Sequence, residues 1–195
     1  TWDQYISKLP NKFKEFYRFP KDLKQKASFN LTLRKNIYIS IPWIMDDEYY
    51  MNLAIIEAKK ASESDEVPVG SVIIDKNHHI IGRGYNCPIA SHDPSSHAEM
   101  NAIRMASRAV NNYRLVDTTL YVTLEPCIMC MGAIIHARIK RVVFGTKDPK
   151  WGAVVSLYQF ADDRRLNHHP QIVSGIFEEQ TKDLIKDFFT YKRSK

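Results

Sequence analysis

The chain has 195 residues, 44% of them hydrophobic, which is enough for one globular domain with a sizeable core. Its three cysteines cannot build a disulfide framework, and no apolar run reaches the length of a membrane span. This composition excludes a disulfide-stapled module and an integral membrane protein. We therefore expect a soluble, cytoplasmic protein with no membrane partner.

The formal net charge of +6 is distributed unevenly. Residues 1–45 carry nine Lys and Arg against three Asp and Glu, whereas residues 46–195 carry nineteen of each. We expect a basic N-terminal extension of unknown role (1–45) and a folded domain (46–195). The extension interleaves lysines with aromatic residues, which suits an RNA-binding arm, but a segment that is packed on the core or partly disordered is the simpler interpretation.

A helix is predicted to begin at Asp46 or Asp47, with apolar residues at helical spacing after it. Strands at about 67–74 and 79–85 flank turn residues at 75–78 and predict a hairpin. A polar loop at 86–96 then leads to a helix that starts at His97. These elements supply the first half of the domain.

The second half contains a strand–helix–strand unit. A strand at about 118–124 leads into a helix that carries Cys127 and Cys130, and another strand follows at 140–145, so the two strands should be parallel. A short strand at 172–174 and an amphipathic helix at 178–192 complete the chain. We expect an α/β protein with a five-stranded mixed sheet and helices on both faces.

The pair Cys127 and Cys130 has the spacing of a metal-binding motif. Residues three apart share one face of a helix, so both sulfurs can bind one metal ion. Pro126 suits the first position of that helix, and the helix dipole favours thiolates in the first turn. Taken alone, the motif is more typical of a redox pair or of half a structural zinc site.

His97 and Glu99 form the second motif. Residues two apart point to nearly opposite sides of a regular helix, so this pair should lie at a helix start. One imidazole and two thiolates would leave the fourth position of a tetrahedral zinc open, as in catalytic sites. Together, H-x-E and P-C-x-x-C match the signature of zinc-dependent nucleobase deaminases.

From about residue 47 to its end, the chain resembles the bacterial tRNA-specific adenosine deaminases of the cytidine-deaminase-like superfamily. Besides the two motifs, the resemblance rests on Gly84-Tyr-Asn86, His92-Asp93-Pro94, residues 121–130, residues 138–145 and Phe188-Phe189. It implies a three-layer α/β/α cytidine-deaminase-like fold, one catalytic Zn²⁺ per subunit and a homodimer.

The resemblance also implies roles for individual residues. His97, Cys127 and Cys130 are expected to hold zinc, which lowers the pKa of water, and Glu99 to be the catalytic proton shuttle to ring nitrogen 1 of adenine. The substrate-binding residues are expected to be Asn86, Ala98, Asp148, Lys150 and Phe189, with the base at Asn86 and Ala98 and the anticodon stem-loop at the others. Trp151 departs from the small residue that the family often has there.

The expected function is deamination of the wobble adenosine of tRNA, in particular arginine tRNA, to inosine with release of ammonia. One alternative is a deaminase of a free nucleobase or nucleoside of the guanine or cytosine type, which would share the zinc motifs. Another is a non-catalytic RNA-binding zinc protein, against which Glu99 argues. The apolar pair Ile134 and Ile135 suits a dimer interface or the core equally well.

Overall fold

A computed structural model of the chain describes residues 46–195, and the expectations for the basic extension lie outside these residues. Five helices and five strands follow in the order α1 (Asp47–Glu63), β1 (Gly70–Ile74), β2 (Ile80–Tyr85), α2 (Pro88–Ser91), α3 (Ala98–Ala109), β3 (Thr119–Leu124), α4 (Ile128–Ala137), β4 (Arg141–Thr146), β5 (Gln171–Ser174) and α5 (Glu178–Ser194). None of the helices in this part of the chain is long and apolar enough to cross a membrane.

The five strands form one mixed sheet in the order β2-β1-β3-β4-β5. β1 is antiparallel to both of its neighbours, while β3, β4 and β5 are parallel. The predicted hairpin and the predicted parallel unit are therefore confirmed. The carboxyl ends of β2, β3 and β4 meet at the same end of the sheet, where the loops after them lie close together.

The core has two layers because successive strand residues face opposite sides of the sheet. On one side, Leu120, Val122 and Phe144 pack with the buried residues of α3 and α4. On the other side, Tyr121 and Val143 pack with α1 and with Leu184 of α5. This arrangement is the expected three-layer α/β/α fold.

The helix boundaries correct two details of the sequence interpretation. Pro126 does not occupy the first position of α4, because the helix begins at Ile128 and Cys127 is its N-cap. The polar loop after β2 contains a single helical turn, α2, which the sequence analysis missed. Asp46 caps α1 as expected, accepting a hydrogen bond from the Tyr49 amide at 3.0 Å.

Ile134 and Ile135 belong to the core. Their exposed fractions are 0% and 7%, and both pack against the sheet from α4. A dimer interface would therefore have to use other residues.

Candidate active site

Two helix N-termini converge at the carboxyl end of the sheet. His97 is the N-cap of α3, and its backbone is extended (φ −75°, ψ 157°), so Glu99 becomes the second residue of that helix. Cys127 is the N-cap of α4 and Cys130 is the third helical residue. The predicted placement of the His97 motif at a helix start is confirmed.

The three expected ligand atoms lie together. His97 Nδ1 lies 3.6 Å from Cys127 Sγ and 3.7 Å from Cys130 Sγ, and all three atoms are within 4.8 Å of one another. In a tetrahedral zinc site, bond lengths of about 2.0 Å to nitrogen and 2.3 Å to sulfur place these atoms about 3.6 Å apart. The side chains therefore fit a zinc ion without rearrangement, and three protein ligands leave one coordination position for a small molecule.

The site favours the deprotonated sulfur that a metal requires at Cys127, whereas the hydrogen bond to Cys127 and burial raise the pKa of Cys130. A hydrogen bond from the Cys130 thiol, assisted by His97, lowers the pKa of Cys127 to about 4 despite partial burial. The amide groups and partial positive charge at the start of α4 act in the same direction. A metal ligand is thus available well below neutral pH.

Glu99 is a buried carboxyl group beside these ligands. Its exposed fraction is 3%, and burial, together with the nearby Cys127 thiolate, raises its pKa to about 7. A carboxyl group with such a pKa can both accept and release a proton near neutral pH. The arrangement is suited to general acid–base catalysis next to a metal.

Asn86 and Ala98, both expected to contact a base, contact each other. The Asn86 Oδ1 atom accepts a hydrogen bond from the Ala98 amide at 2.9 Å, and the side chain is buried. Because His97 makes no side-chain capping bond, this contact serves the free N–H at the start of α3. Asn86 therefore holds the helix that carries His97 and Glu99.

Glu125 is a site residue whose role is not visible in the sequence. Its buried carboxylate accepts hydrogen bonds from the Ser156 hydroxyl and from the backbone amides of Asp148 (3.1 Å), Val154 (3.0 Å), Val155 (2.8 Å) and Ser156 (3.0 Å). Burial raises its pKa, but these hydrogen bonds outweigh that effect and hold the pKa below its usual value. Glu125 thereby fixes the segment 147–157, which we call the anchored loop.

The anchored loop lies directly beside the ligand cysteines. Gly152 pairs with Cys127 in an antiparallel bridge, and the Ala153 amide donates to the Pro126 carbonyl at 2.9 Å. Asp148 Oδ1 accepts hydrogen bonds from the amides of Lys150 (2.9 Å) and Trp151 (3.3 Å), so it shapes the loop. The Lys150 side chain is exposed.

Phe189, the remaining expected contact residue, lies on α5. It is 44% exposed and packs edge to face on Phe188, which is largely buried. Lys192, one helical turn further, pairs with Asp65 in the loop before β1 at 2.5 Å. This contact ties the end of α5 to the end of the sheet at which the cysteines lie.

Within residues 46–195, only one group of three or more His, Cys, Asp or Glu side chains is placed to share a metal ion, and it consists of His97, Cys127 and Cys130. His168 and His169 instead hydrogen bond to backbone carbonyls, and Cys87 lies 3.2 Å from the Ser96 hydroxyl.

Comparison with known proteins places this site in a family. Residues 44–146 match the family model described as the cytidine and deoxycytidylate deaminase zinc-binding region. The tRNA-specific adenosine deaminase of Haemophilus influenzae is 46% identical over 147 residues, which cover 75% of this chain and 85% of that protein.

Two solved structures share the fold. One comes from biochemical and structural studies of A-to-I editing by tRNA:A34 deaminases at the wobble position of transfer RNA. It matches with a TM-score of 0.68 at 42% identity, over 70% of this chain and 98% of that one. The guanine deaminase of Nitrosomonas europaea matches with a TM-score of 0.65 over 88% of this chain and 94% of that one, but at 15% identity it supports the fold alone. The family model, the identity to the Haemophilus protein and the geometry of the zinc ligands agree, and the chain belongs to the tRNA-specific adenosine deaminase family of zinc-dependent deaminases.

Proposed function

We propose that this protein converts adenosine at the wobble position of tRNA to inosine by zinc-dependent hydrolytic deamination. The observation that carries the proposal is a three-ligand metal site with a buried carboxyl group, Glu99, beside it. Family membership supplies adenosine in tRNA as the substrate. Arginine tRNA is the substrate we propose within this class.

His97, Cys127 and Cys130 would hold the zinc ion, which supplies Lewis-acid activation of water when bound. Glu99 would take a proton from the attacking water and deliver it to ring nitrogen 1 of adenine. It would then take the remaining proton from the hydroxyl group newly attached to the ring carbon and pass it to the departing amino group, which leaves as ammonia. One carboxyl group can perform both transfers because water and leaving group occupy the same side of the ring.

We propose that Asn86 also orients the base. Its Oδ1 atom is committed to the Ala98 amide, so the amide nitrogen is the part of the side chain left to donate to the Hoogsteen edge of a purine. Ala98 would contribute through its backbone. Both residues belong to the junction that carries His97 and Glu99, which supports a base in contact with this junction.

The anticodon stem-loop would lie along the anchored loop and the end of α5. Lys150 is exposed and suited to phosphate, Asp148 to a ribose hydroxyl, and Phe189 to a neighbouring nucleotide. Residues 138–195 carry twelve Lys and Arg against seven Asp and Glu, which supports contact with a polyanion.

We further propose a homodimer with residues 46–195 as the catalytic domain in each subunit. Four exposed apolar side chains support an interface near the cysteines: Ile128, which follows Cys127 in the chain, and Val155, Leu157 and Tyr158, which follow Gly152, the residue paired with Cys127. A cytoplasmic location suits the unoxidised zinc thiolates. Sedimentation equilibrium would test the dimer, and a monomeric mass at micromolar concentration would contradict it.

The function is tested by comparing the unsubstituted protein with Glu99→Gln and with Glu179→Gln, a control in which the lost carboxylate is 80% exposed. Each would be given arginine tRNA with a wobble adenosine, free guanine and cytidine, and products would be counted by nucleoside mass spectrometry. We expect inosine from tRNA alone, reduced at least about 100-fold by Glu99→Gln because a proton carrier is lost. Turnover confined to a free base, or full turnover by Glu99→Gln, would contradict the proposal.

A further inference from the structure

Trp151 is an exposed aromatic residue in the anchored loop. Its exposed fraction is 69%, whereas tryptophan side chains are on average mostly buried. Within residues 46–195 the indole ring stacks on no other aromatic side chain and lies under no cationic group. The ring is therefore available to a partner outside the chain.

The backbone around Trp151 is held in place by contacts within the protein itself. The Trp151 amide donates to Asp148 Oδ1 at 3.3 Å, and the next residue, Gly152, pairs with Cys127. Ala153 and Val154 are fully buried. Glu125 accepts hydrogen bonds from the backbone amides of Asp148 and Val154, which lie before and after Trp151 in the chain. Stacking on Trp151 would consequently require little further ordering of the loop.

The backbone of Trp151 is also close to the residues expected to bind zinc. Paired residues in antiparallel strands have Cα atoms about 5 Å apart, and one further residue adds about 3.8 Å, so the Trp151 backbone lies within roughly 9 Å of the Cys127 backbone. The neighbours of a nucleotide whose base enters the site must pass near this loop. The indole ring can reach one of them.

The surroundings of the ring suit a single-stranded nucleic acid. Lys147 and Lys150 are exposed on the same short loop. Of the two carboxylates at this loop, Glu125 is buried, and Asp148 accepts hydrogen bonds from the loop's own amides. Basic side chains next to an exposed aromatic ring are the combination that holds a phosphate backbone and stacks its bases.

We infer that Trp151 is a substrate-binding residue whose indole ring stacks on the base of a nucleotide adjacent to the target adenosine. The inference rests on the proposed function. Stacking is present in both the bound substrate and the transition state, so Trp151 would lower KM and leave kcat nearly unchanged.

The kinetic test compares Trp151→Ala and Trp151→Phe on an anticodon stem-loop RNA. Tyr113→Ala is the matched control, because Tyr113 is 65% exposed but precedes β3, at the opposite end of the sheet. We expect Trp151→Ala to raise KM roughly 5- to 100-fold at nearly constant kcat, Trp151→Phe to restore most of the affinity, and the control to match the unsubstituted protein. An unchanged KM, or equal defects in the Ala and Phe variants, would overturn the inference.

A fluorescence measurement observes the contact directly. The chain has three tryptophans, so Trp2→Phe with Trp43→Phe leaves Trp151 as the sole emitter, and Glu99→Gln in the same protein prevents turnover during the titration. We expect the stem-loop to quench this emission, and an abasic site on one side of the target to remove most of the quenching. Quenching that neither neighbouring abasic site reduces would overturn the inference.

Different results would contradict the proposed function and the inference on Trp151. If the unsubstituted protein forms no inosine from the stem-loop, the proposed function fails, whatever the Trp151 variants do. If it forms inosine and Trp151→Ala does so with the same KM, the inference on Trp151 alone is wrong.

Discussion

At the scale of single residues, Cys130 and Cys87 differ in whether they lie in the cluster expected to bind zinc. Cys130 is fully buried in the three-ligand cluster, whereas Cys87 contacts the Ser96 hydroxyl. We expect Cys130→Ser to weaken zinc binding by more than about 100-fold, because one of three protein ligands is replaced by a poor one.

The measurement is zinc content by mass spectrometry after dialysis, with Cys87→Ser as the control that retains one zinc per chain. Stoichiometric zinc in the Cys130 variant would show that the ligand set is assigned wrongly.

Glu125 gives a second prediction at this scale. Removing its carboxylate leaves the amides of Asp148, Val154, Val155 and Ser156 without their acceptor, and buried amides are costly to leave unpaired. We expect Glu125→Ala to lower the free energy of unfolding by about 3 kcal/mol or more.

Urea denaturation checks this value against Glu179→Ala, which removes an exposed carboxylate and should change stability by less than about 0.5 kcal/mol. A Glu125 variant as stable as this control would mean that the loop does not depend on the carboxylate.

The sequence indicated the cluster that the structure brings together but not the contacts of Glu125, for a physical reason. His97, Glu99, Cys127 and Cys130 are recognisable because their side chains carry the chemistry and the local helix sets their spacing. The main partners of Glu125 are backbone amides 23 to 31 residues further along the chain. A backbone amide carries no mark in the sequence, so this contact becomes visible only in the fold.

At the scale of elements, the close approach of α3 to β2 depends on a glycine. A Cβ atom at Gly84 would overlap the Ala98 carbonyl oxygen and lie 2.6 Å from the Ala102 amide nitrogen. We expect Gly84→Ala to lower the free energy of unfolding by about 1–3 kcal/mol and to reduce activity, because it displaces the helix that carries His97 and Glu99.

Gly132 in α4 is the matched control, since a Cβ atom there has nothing within 4 Å. Gly132→Ala should instead stabilise the fold by about 0.5–1 kcal/mol through helix propensity. Thermal denaturation of both variants checks the opposite signs, and equal shifts would contradict the packing argument.

Most strands were predicted closely because their apolar runs and turn residues are local, although β1 begins at Gly70, three residues later than expected. β3 and β4 differ by one residue from the expected ranges, and α5 runs two residues further than expected. The missed helical turn, α2, has no buried side chain and too few residues to show a helical period. Pro126 was misplaced because proline is common just before a helix as well as at its first position.

At the scale of the whole molecule, an ion pair joins α1 to the sheet. Arg141, at the start of β4, donates to both carboxylate oxygens of Asp47 at 2.6 and 2.7 Å, and the Tyr121 hydroxyl donates at 3.0 Å. The hydrogen bond from Arg141, aided by that from Tyr121, holds the pKa of Asp47 below its usual value despite partial burial.

The lowered pKa of Asp47 makes the stability of the fold depend on pH in a defined direction. A carboxyl group with a lowered pKa in the folded state stabilises the fold above its unfolded pKa of about 3.9, and that contribution is lost as the pH falls through the folded value. We expect Asp47→Asn to cost about 1–3 kcal/mol at pH 7, and the difference from the unsubstituted protein to shrink below pH 4.

Urea denaturation at pH 7 and pH 3.5 measures both effects. Asp117→Asn is the control, because the pair of Asp117 with Lys140 is about half exposed and should be worth less than about 1 kcal/mol. A cost for Asp47→Asn that persists undiminished at pH 3.5 would contradict the assignment.

The order of the strands in the sheet was only partly predictable from the sequence. The parallel pair β3–β4 was predictable because a helix connects the two strands. The position of β1 between β2 and β3 was not, because it depends on pairing of Ser71 with Val122 across some fifty residues. That pairing lets β2 carry Asn86 to the same end of the sheet as Cys127.

The way Glu125 holds the anchored loop bears on how substrate preference can change over evolutionary time. Four of its five bonds go to backbone amides, which every residue type except proline possesses. Outward-facing positions such as 147, 150 and 151 can therefore change while the loop keeps its shape beside the cysteines. A lineage can therefore change the RNA contacts that we propose for this loop, including the stacking inferred for Trp151, without disturbing the three side chains placed to bind zinc.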